Sequence, residues 1–557
     1  MIHSALEKPE TPSSLWVESE RTPRVGRLSE RMSELGVRFG IPLYTTSRVV
    51  LRRTKINLSP GRLIAIVGPS GSGKSTAIGE IGKAISRASL VQHIKFPLDT
   101  AVIDAVAPGA ELNEVIALLT SAGLGEPHLW IRPVTELSEG ERFRAQLARA
   151  IALQHRAGGG APLLCDEFCS NLHRRLAKAV SYNLRKLVTR RGICAVVAIN
   201  NPDILDDLQP DTIVHLKGNG AVETEEVARE ISAPFSLLHR VRIERGCKRD
   251  FEPFAGMHYR ATNELGFVDK VFVLRDIVEE ELLGIVVYSH GPLENSLRNA
   301  ATNGRFVRDP EGVNRHFRIV RRLVIHPDVR GCGLGHYLLS QTLPRIGTKY
   351  VECLASMGEF NPVFEKAGMR RIGQYELAAD RQAALNELAS MDVDPNGPDF
   401  ALQVAQNRRV RATVTKTVHD WYAATTGSGQ SRVERQSPQL LSQTFRGLIG
   451  LRPVYYLWQR PSLSETNRSD SGLTRPVGLV SPSLMNQGEL PQKPFTPPAT
   501  EWADSSATLK DLGSATPSKT RKRVGMTSSK RHSPTGDSSA RPGRHGKKNK
   551  HDPRGRR

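Results

Sequence analysis

A nine-residue glycine-rich segment carries the clearest chemistry in the sequence. It consists of Gly68-Pro69-Ser70-Gly71-Ser72-Gly73-Lys74-Ser75-Thr76, and it stands between an apolar run and a helical pattern. Glycines let successive backbone amides turn toward phosphate oxygens, and a following helix adds the partial positive charge of its N-terminus. A turn of this kind that ends in a lysine and a hydroxyl predicts a nucleotide-phosphate site.

The residue types in this segment suggest individual roles. We expect Lys74 to reach the β- and γ-phosphates of ATP, and Ser75 to offer its hydroxyl to Mg²⁺. The residues expected to bind ATP here are Gly68, Ser70, Gly71, Gly73, Lys74, Ser75 and Thr76. The remaining question is what supplies the rest of the metal shell and a water-activating group.

Two adjacent carboxylates answer that question. The apolar run Pro162-Leu163-Leu164-Cys165 leads directly into Asp166 and Glu167. We expect Asp166 to hold Mg²⁺ together with Ser75, and Glu167 to orient or activate a water against the γ-phosphate. An apolar run that ends in Asp-Glu is common by itself, so the interpretation depends on its place after the glycine-rich turn.

Between these motifs, Leu137-Ser138-Glu139-Gly140-Glu141 opens a helical pattern. One interpretation is an ordinary helix cap, with Ser138 as N-cap and Glu141 at the third helical position. The other is a second phosphate contact, made by a hydroxyl and a helix N-terminus. The two interpretations are compatible.

The three motifs, in this order and spacing, resemble the ATP-binding cassette (ABC) ATPases over roughly residues 38–235. The resemblance implies a head-to-tail homodimer, in which Ser138 and Gly140 of one chain close on ATP held by Lys74 of the other. It also assigns an ATP contact to Asn201, which stands where the family has a switch histidine. Asn can hydrogen-bond to phosphate but carries no charge.

His173 likewise replaces an Asp of the family, so the two substitutions leave efficient hydrolysis open. Tyr44 is a candidate for stacking on adenine, but Phe39 competes for that role and a core tyrosine is an equal alternative. The short spacer before Leu137 favours a DNA-repair or chromosome-structure type of ABC ATPase over a transporter type.

A second glycine-bearing turn follows a strand pattern in the C-terminal half. In Arg330-Gly331-Cys332-Gly333-Leu334-Gly335, backbone amides and a helix start could again cradle an anion, although an ordinary turn is the alternative. Together with its neighbours, the turn resembles the GNAT acyltransferases over roughly residues 240–378. The resemblance implies that Arg330, Gly331, Gly333 and Gly335 hold the pyrophosphate of acetyl-CoA or another acyl-CoA.

His258 and Tyr259 form a second candidate site, in a stretch similar to phage Mom-type DNA-modification proteins. Under that resemblance His258 is a base or metal ligand and Tyr259 an acid, near Glu359 and Asn361; the alternative is that both residues pack or lie in a loop. Phe364 stands where many GNAT proteins have a proton-donating tyrosine, so that role is absent or located elsewhere.

Composition limits the possible partners. The chain has 557 residues and a formal charge of +21, of which +12 falls in residues 519–557. A charge of this sign predicts a nucleic-acid partner, DNA over RNA, with a merely solubilising tail as the alternative. The six cysteines lack metal-site spacing, which argues against zinc. Since no signal segment or membrane span is evident, we expect a cytoplasmic protein without a membrane partner.

The sequence therefore predicts an α/β P-loop ABC-type nucleotide-binding domain followed by an α+β GNAT domain. The expected boundaries are a flexible lead over 1–37, the ATPase domain over 38–238, the GNAT domain over 239–378, a helical extension over 379–460 and a disordered basic tail over 461–557. The predicted function is acyl transfer to a nucleic-acid base, coupled to ATP. The alternatives are a protein or small-molecule N-acetyltransferase with a regulatory ATPase half, and a nucleic-acid-binding ATPase with an inactive GNAT domain.

Overall fold

The structure is a computed structural model. It describes residues 13–461 except 23, 45–46, 86, 159–160, 229–232, 258–264, 427–432 and 451. All of these residues belong to one compact unit of the chain. The expected basic tail lies outside the described residues.

The N-terminal half of the described chain is built on a six-stranded sheet with the order β4-β5-β6-β3-β7-β8. Its strands are β3 (Leu63–Val67), β4 (Ser89–Leu90), β5 (Leu163–Cys165), β6 (Ala195–Ala198), β7 (Thr212–Gly218) and β8 (Ala221–Glu226). All neighbouring pairs are parallel except the terminal pair, β7 and β8. Strands covered on both faces favour continuous apolar runs, and Leu63 to Ile66 are indeed fully buried.

Helices cover this sheet and connect its strands. They are α2 (Lys74–Ala84), α3 (Val102–Val106), α4 (Leu112–Ser121), α5 (Pro127–Trp130), α6 (Glu139–Arg156), α7 (Arg174–Arg191) and α8 (Leu205–Leu208). The first helix, α1 (Glu30–Phe39), precedes all strands of this sheet and has no buried residue. Because β3 and β5 are parallel to β6, which lies between them, the turns at their carboxyl ends open on the same edge of the sheet. The glycine-rich turn and the Asp166-Glu167 pair therefore meet there.

The expected flexible lead over 1–37 is wrong for its described part. Strand β1 (Ser14–Arg21) pairs antiparallel with β2 (Arg48–Asn57), and the helix α1 follows it. Val17 is buried in the same apolar cluster as Ile78 and Ile81 of α2, which explains why this polar-looking segment is ordered. Burial alternates in β1, with Val17 and Ser19 buried, so one face of the strand lies on the core; two buried positions, one of them a serine, are hard to detect in sequence.

The C-terminal half is built on a second sheet, of seven strands within the described residues, in the order β14-β15-β13-β12-β11-β10-β9. The strands are β9 (Val241–Gly246), β10 (Val268–Asp276), β11 (Leu282–Ser289), β12 (Phe317–Ile325), β13 (Tyr350–Ala355), β14 (Arg370–Gln374) and β15 (Val454–Gln459). Strands β12 and β13 are parallel, and they pair only over Phe317–Ile319 and Tyr350–Glu352 before they diverge. The other neighbouring pairs are antiparallel.

Short helices complete this half: α9 (Glu252–Ala255), α10 (Ser296–Ala301), α11 (Pro310–His316), α12 (Leu334–Thr342) and α13 (Val363–Lys366). A separate helical cluster follows β14, with α14 (Ala379–Ser390), α15 (Phe400–Gln406), α16 (Arg408–Thr426) and α17 (Pro438–Gly450). The helical extension expected over 379–460 therefore ends differently from the prediction. Strand β15 returns from the helices to pair between β13 and β14, so the helices are an insertion between two strands of the sheet.

Helix α7 contributes to both cores. Leu176 and Val180 pack in the core of the first sheet, whereas Ala179 packs in the core of the second. The Tyr182 ring also lies 5.4 Å from the ring of Phe235, which belongs to the second core. Among the described residues, no helix is both long and apolar enough to span a membrane.

Candidate nucleotide site and the loop docked on it

The predicted phosphate turn lines a cavity of about 650 Å³ at the carboxyl edge of the first sheet. Gly68, Ser70, Gly71, Gly73, Lys74, Ser75 and Thr76 all line it, as do Asp166 and Glu167. Gly73 caps α2 with a φ of 104°, a left-handed conformation that side chains rarely adopt. A Cβ there would also stand 2.7 Å from a methyl carbon of Val50, so position 73 requires glycine.

Lys74 is positioned for an anionic ligand. Its ammonium group donates to the carbonyls of Gly68 at 2.7 Å and Pro69 at 3.0 Å, and no described carboxylate lies within ion-pair distance. The buried hydroxyl of Ser72 has no hydrogen-bond partner among the described residues. A phosphate group seated in this turn would satisfy donors that the protein alone leaves unmatched.

The two carboxylates differ in their setting. Asp166 accepts a hydrogen bond from the Glu167 amide at 3.0 Å through one oxygen, which leaves the other oxygen for a ligand. A carboxylate and the Ser75 hydroxyl in one cavity are hard oxygen donors of the kind Mg²⁺ prefers. Glu167 is exposed, lines the cavity and has a φ of 46°, a strained conformation of the kind that clusters at functional sites.

Sequence reasoning missed several residues of this site. Asn200 lines the cavity, whereas the predicted Asn201 does not. Gln92 donates to the Asp166 carbonyl and accepts from the Asp166 amide at 3.4 Å, so it fixes the strand end that carries the metal ligand. Its position, just after the short strand β4, was the only available signal.

A part of the cavity lining outside the predicted motifs also differs from the prediction. Arg21, Arg48 and Val50 line the cavity there. Neither Tyr44 nor Phe39 lines it, and these side chains are 72% and 71% exposed. The arginines were missed because the strand that carries Arg21 was not expected.

Ser138 and Gly140 lie outside this cavity. Ser138 caps α6, since it accepts from the Glu141 amide at 3.4 Å while its own amide and hydroxyl donate to the Glu141 carboxylate at 2.8 Å. Burial acts to raise the pKa of Glu141, but the bonds from Ser138 and the charge of Arg144 hold it below its usual value. The cap interpretation is confirmed, and Ser138 is exposed at the start of α6.

The loop that connects β12 to α12, residues 326–333, is docked on the first half of the chain. Asn183 of α7 donates to the Arg330 carbonyl at 3.3 Å, and Lys186 donates to the Gly331 carbonyl at 2.8 Å. Gly331 has a φ of 81°, and a Cβ there would stand 2.9 Å from the Asn183 amide nitrogen. The close approach of the loop to α7 therefore depends on this glycine.

Asp328 is the charged centre of this contact. One of its oxygens lies 3.0 Å from His173 and 3.1 Å from Arg175, at the start of α7, and 3.2 Å from His326. Burial acts to raise the pKa of Asp328, but the hydrogen bonds and charges of these three partners hold it well below its usual value. His173 comes six residues after Glu167 in the chain, in the segment that connects β5 to α7. Asp328 therefore links the loop to the edge of the sheet that carries the nucleotide site.

Arg330 has a different environment from the one predicted. Its guanidinium donates to the carbonyls of Ile325 at 2.9 Å, Met257 at 2.7 Å and Gly125. Burial lowers its pKa, as expected for a cation enclosed by carbonyl groups rather than by carboxylates. Arg330 thus joins the two halves, while Gly333, with a φ of 94°, begins α12 and Gly335 faces Val363.

The structure describes some of the remaining predicted residues of this half. His258 and Tyr259 lie outside the described residues. Asn361 accepts from the Val363 amide at 3.2 Å, and Glu359 accepts from Gln374 at 3.4 Å. Phe364 is buried, with its ring 5.2 Å from that of Tyr456. Among the described residues, no cluster of three or more His, Cys, Asp or Glu side chains could hold a metal ion.

Comparison with known proteins identifies the first half. The lipoprotein-releasing system ATP-binding protein LolD of Nitrobacter hamburgensis is 30% identical over 217 residues, which are 90% of that protein and 32% of this chain. The hemin import ATP-binding protein HmuV of Gloeobacter violaceus is 30% identical over 200 residues, 71% of that protein and 29% of this chain. The chain belongs to the ATP-binding cassette family.

A further relative is matched over less of its length. The Fe(3+) ions import ATP-binding protein FbpC 1 of Rhizobium meliloti is 30% identical over 203 residues, and the chain spans 54% of it. These relatives are named for import and lipoprotein release, rather than for the DNA-repair type of ABC ATPase that we expected. The matches cover about a third of this ABC protein, and they support the cassette alone; the GNAT resemblance stays a prediction. No family model matches the chain.

Solved structures include two dimeric ABC cassettes. One, a bacterial ABC transporter cassette, is 22% identical with a TM-score of 0.27 over 32% of this chain and 92% of the cassette. The other, a post-hydrolysis state bound to ADP and Pi, is 20% identical with a TM-score of 0.29 over 38% of this chain and 98% of the cassette.

Proposed function

We propose that this ABC protein is an ATP-gated, acyl-CoA-dependent N-acyltransferase of the GNAT type that acts on the base amines of nucleic acid, DNA over RNA. The observation that carries the proposal is the docking of loop 326–333 on α7. Through His173 and Asp328, the proposed acyl-carrier loop is joined to the segment that follows the nucleotide-site carboxylates. A change at the nucleotide edge would therefore move the loop, which is what gating requires.

The second sheet supports the acyl-carrier part. Strands β12 and β13 diverge after three paired residues, and the glycine turn and the start of α12 stand at the open end. Such a gap would admit a pantetheine-like chain, and the helix-start amides would face its phosphates. Lys186 and Lys366 lie close enough to His336 to help lower its pKa, although burial is the larger cause. Two lysines beside the turn suit a pyrophosphate.

Within the nucleotide site, the proposed roles follow the cavity. Lys74 holds the phosphates, Ser75 and Asp166 hold Mg²⁺, which neutralises phosphate charge, and Glu167 activates water. Ser138 and Gly140 would complete the site of a second chain, since they lie outside their own cavity. The proposed active species is therefore a homodimer with ATP between the chains.

Glu167→Gln tests this arrangement. Loss of the base should slow ATP hydrolysis about 100-fold or more, while ATP binding and ATP-dependent dimerisation persist. Ser138→Ala should weaken dimerisation and leave ATP binding by the monomer unchanged. Light scattering with and without ATP measures dimerisation in both variants. A monomer at every ATP concentration would contradict the shared site.

The helical insertion supports a polyanionic partner. On α16, Val410, Val414 and Val418 are fully buried. Its other face borders a cavity of about 430 Å³ that Arg408, Arg411, Ala412, Thr415, Lys416, His419 and Glu434 line. Within the described residues, none of its arginines or lysines is within 4.0 Å of a carboxylate. This basic face and the basic tail would bind phosphate backbones with strong salt dependence.

Nucleoside mass analysis tests the whole proposal. DNA and RNA from cells that express the full chain should contain a nucleoside heavier by one acyl group, and Lys74→Ala should remove it. His258→Ala tests the predicted base, with coenzyme A binding as the control for folding. A chain that binds coenzyme A but modifies only protein or small molecules would overturn the nucleic-acid part.

One observation favours a second candidate, a nucleic-acid-binding ATPase with an inactive GNAT domain. Arg330 donates to three carbonyls of the protein, and Phe364 occupies the place of a proton donor. Absence of coenzyme A binding by a folded chain that still binds ATP would favour this candidate.

A further inference from the structure

Two arginines of the β1–β2 pair belong to the lining of the nucleotide cavity. Arg21 and Arg48 are direct partners across the β1–β2 pair, and both line the cavity. Val50, two residues along the same face of β2, abuts the phosphate turn at Gly73. Because a strand rises about 3.3 Å per residue, Arg48 lies about 7 Å along β2 from Val50, the residue beside the phosphate turn.

This order determines which part of a nucleotide would meet the arginines. The triphosphate belongs at Lys74 and the start of α2. The ribose and base would then extend outward, past Val50 toward Arg21 and Arg48. The residues lining the cavity include no aromatic side chain, so base stacking on a tyrosine or phenylalanine of the described chain has no candidate.

The two guanidinium groups are available for a ligand. Among the described residues, neither lies within 4.0 Å of a carboxylate, and the adjacent Glu20 accepts a hydrogen bond from Ser47 at 2.6 Å. The undescribed neighbours in sequence, Pro23, Thr45 and Thr46, carry no charge. By contrast, Arg53 of the same strand lies 4.9 Å from the Trp16 ring centroid, outside the cavity.

Guanidinium chemistry then selects among bases. Arginine donates hydrogen bonds and accepts none, and its plane can stack on any base. Guanine offers two adjacent acceptors, N7 and O6, whereas adenine pairs one acceptor with one donor. A donor-only wall thus matches guanine at both atoms and adenine at one.

We propose that Arg21 and Arg48 bind the nucleobase and that the cavity takes GTP at least as tightly as ATP. This proposal rests on the nucleotide site of the proposed function and adds its base selectivity. Under this proposal, the nucleotide that gates the protein is either purine nucleoside triphosphate, rather than ATP alone.

Binding of MgATP, MgGTP and tripolyphosphate to the full chain tests the proposal. The wild type should bind GTP no more weakly than ATP. Arg21→Met and Arg48→Met should each weaken GTP binding about tenfold or more and ATP binding less, because a bidentate guanine contact discriminates by about that factor. Tripolyphosphate binding should be unchanged, and Arg53→Met, on the same strand, should change none of the three.

Arg48→Lys separates charge from shape. It keeps the positive charge but loses the fork of donors, so it should lose the guanine preference as the Met variant does. A wild type that binds ATP more tightly than GTP would overturn the proposal. Equal weakening of tripolyphosphate by the Met variants would overturn it as well, since the arginines would then be phosphate ligands.

Failure of the proposed function gives a different result. A chain that binds neither nucleotide nor tripolyphosphate has no phosphate site, so both proposals would fall together. Tripolyphosphate binding that Lys74→Ala abolishes, combined with unchanged GTP and ATP binding in Arg21→Met and Arg48→Met, would leave the phosphate site intact and reject base recognition alone.

Discussion

Replacement of Asp328 by Asn should loosen the loop that joins the two halves of this ABC protein. Asp328 is 18% exposed and shares one oxygen between His173 at 3.0 Å and Arg175 at 3.1 Å. A charge-assisted hydrogen bond stabilises by about 1.5–3 kcal/mol, and an asparagine would keep part of one such bond. We expect the loop to lose about 2 kcal/mol, which corresponds to about 30-fold in its opening equilibrium.

Hydrogen exchange of a peptide that covers residues 326–334 measures this opening directly. Asp328→Asn should raise the exchange rate of its protected amides about 30-fold, with little change in the sheet cores. Glu223→Gln is the matched control, because that carboxylate pairs with Lys217 at 3.2 Å with both side chains more than half exposed. Unchanged exchange in Asp328→Asn, or an equal change in the control, would refute the assignment.

The pH dependence follows from the depressed pKa of Asp328. A carboxyl whose pKa is lower when folded stabilises fully above its unfolded pKa, about 3.9, and loses that contribution as the pH falls toward the folded pKa. Below about pH 4, exchange in the wild type should therefore approach that of Asp328→Asn. A gap between them that stays constant down to pH 2 would contradict the charge assignment.

Three further predictions concern the cores, the helix cap and the thiols. Glu352→Ala should destabilise the second sheet by about 3–5 kcal/mol in urea unfolding, because it leaves the fully buried Arg298 without its carboxylate partner; a loss under 1 kcal/mol would contradict the pairing. Glu141→Ala should lower the free energy of unfolding by about 1 kcal/mol above pH 5, because the helix cap is lost. This difference should shrink as the pH falls through the lowered pKa of Glu141. Unchanged amide hydrogen exchange at the start of α6 would argue against the capping box. Cys247 should be the one thiol that reacts rapidly with a disulfide reagent in the native protein, because the other five are buried and burial raises the pKa of Cys194 to about 12; two or more fast equivalents would refute this.

The nucleotide site was largely predictable because its residues follow one another in sequence. The phosphate turn and Asp166-Glu167 each end a buried strand, and parallel pairing brings those ends to one edge. Arg21, Arg48 and Asn200 were not predictable in the same way. Their roles depend on pairing between segments about 27 residues apart or on which of two adjacent asparagines faces the cavity.

The second sheet illustrates a different limit. The sequence predicts strands over 270–274, 283–288 and 318–325, and these lie within β10, β11 and β12. The place of β15 was not, because a helical insertion separates it from β14 and only long-range pairing assigns it to the sheet. The role of Arg330 was also hidden, since an arginine before a glycine turn looks the same whether it meets phosphate or backbone carbonyls.

The shared helix α7 limits how the chain can be divided. Two different faces of this helix pack in separate cores, with Val180 in one and Ala179 in the other. Cutting the polypeptide near residue 238 would expose apolar side chains of α7 to water in the first fragment. In the second fragment it would leave a cavity where α7 packs. Neither half is therefore an independent module that could be exchanged unchanged. If one half were lost, the apolar surface left on the other would need polar substitutions.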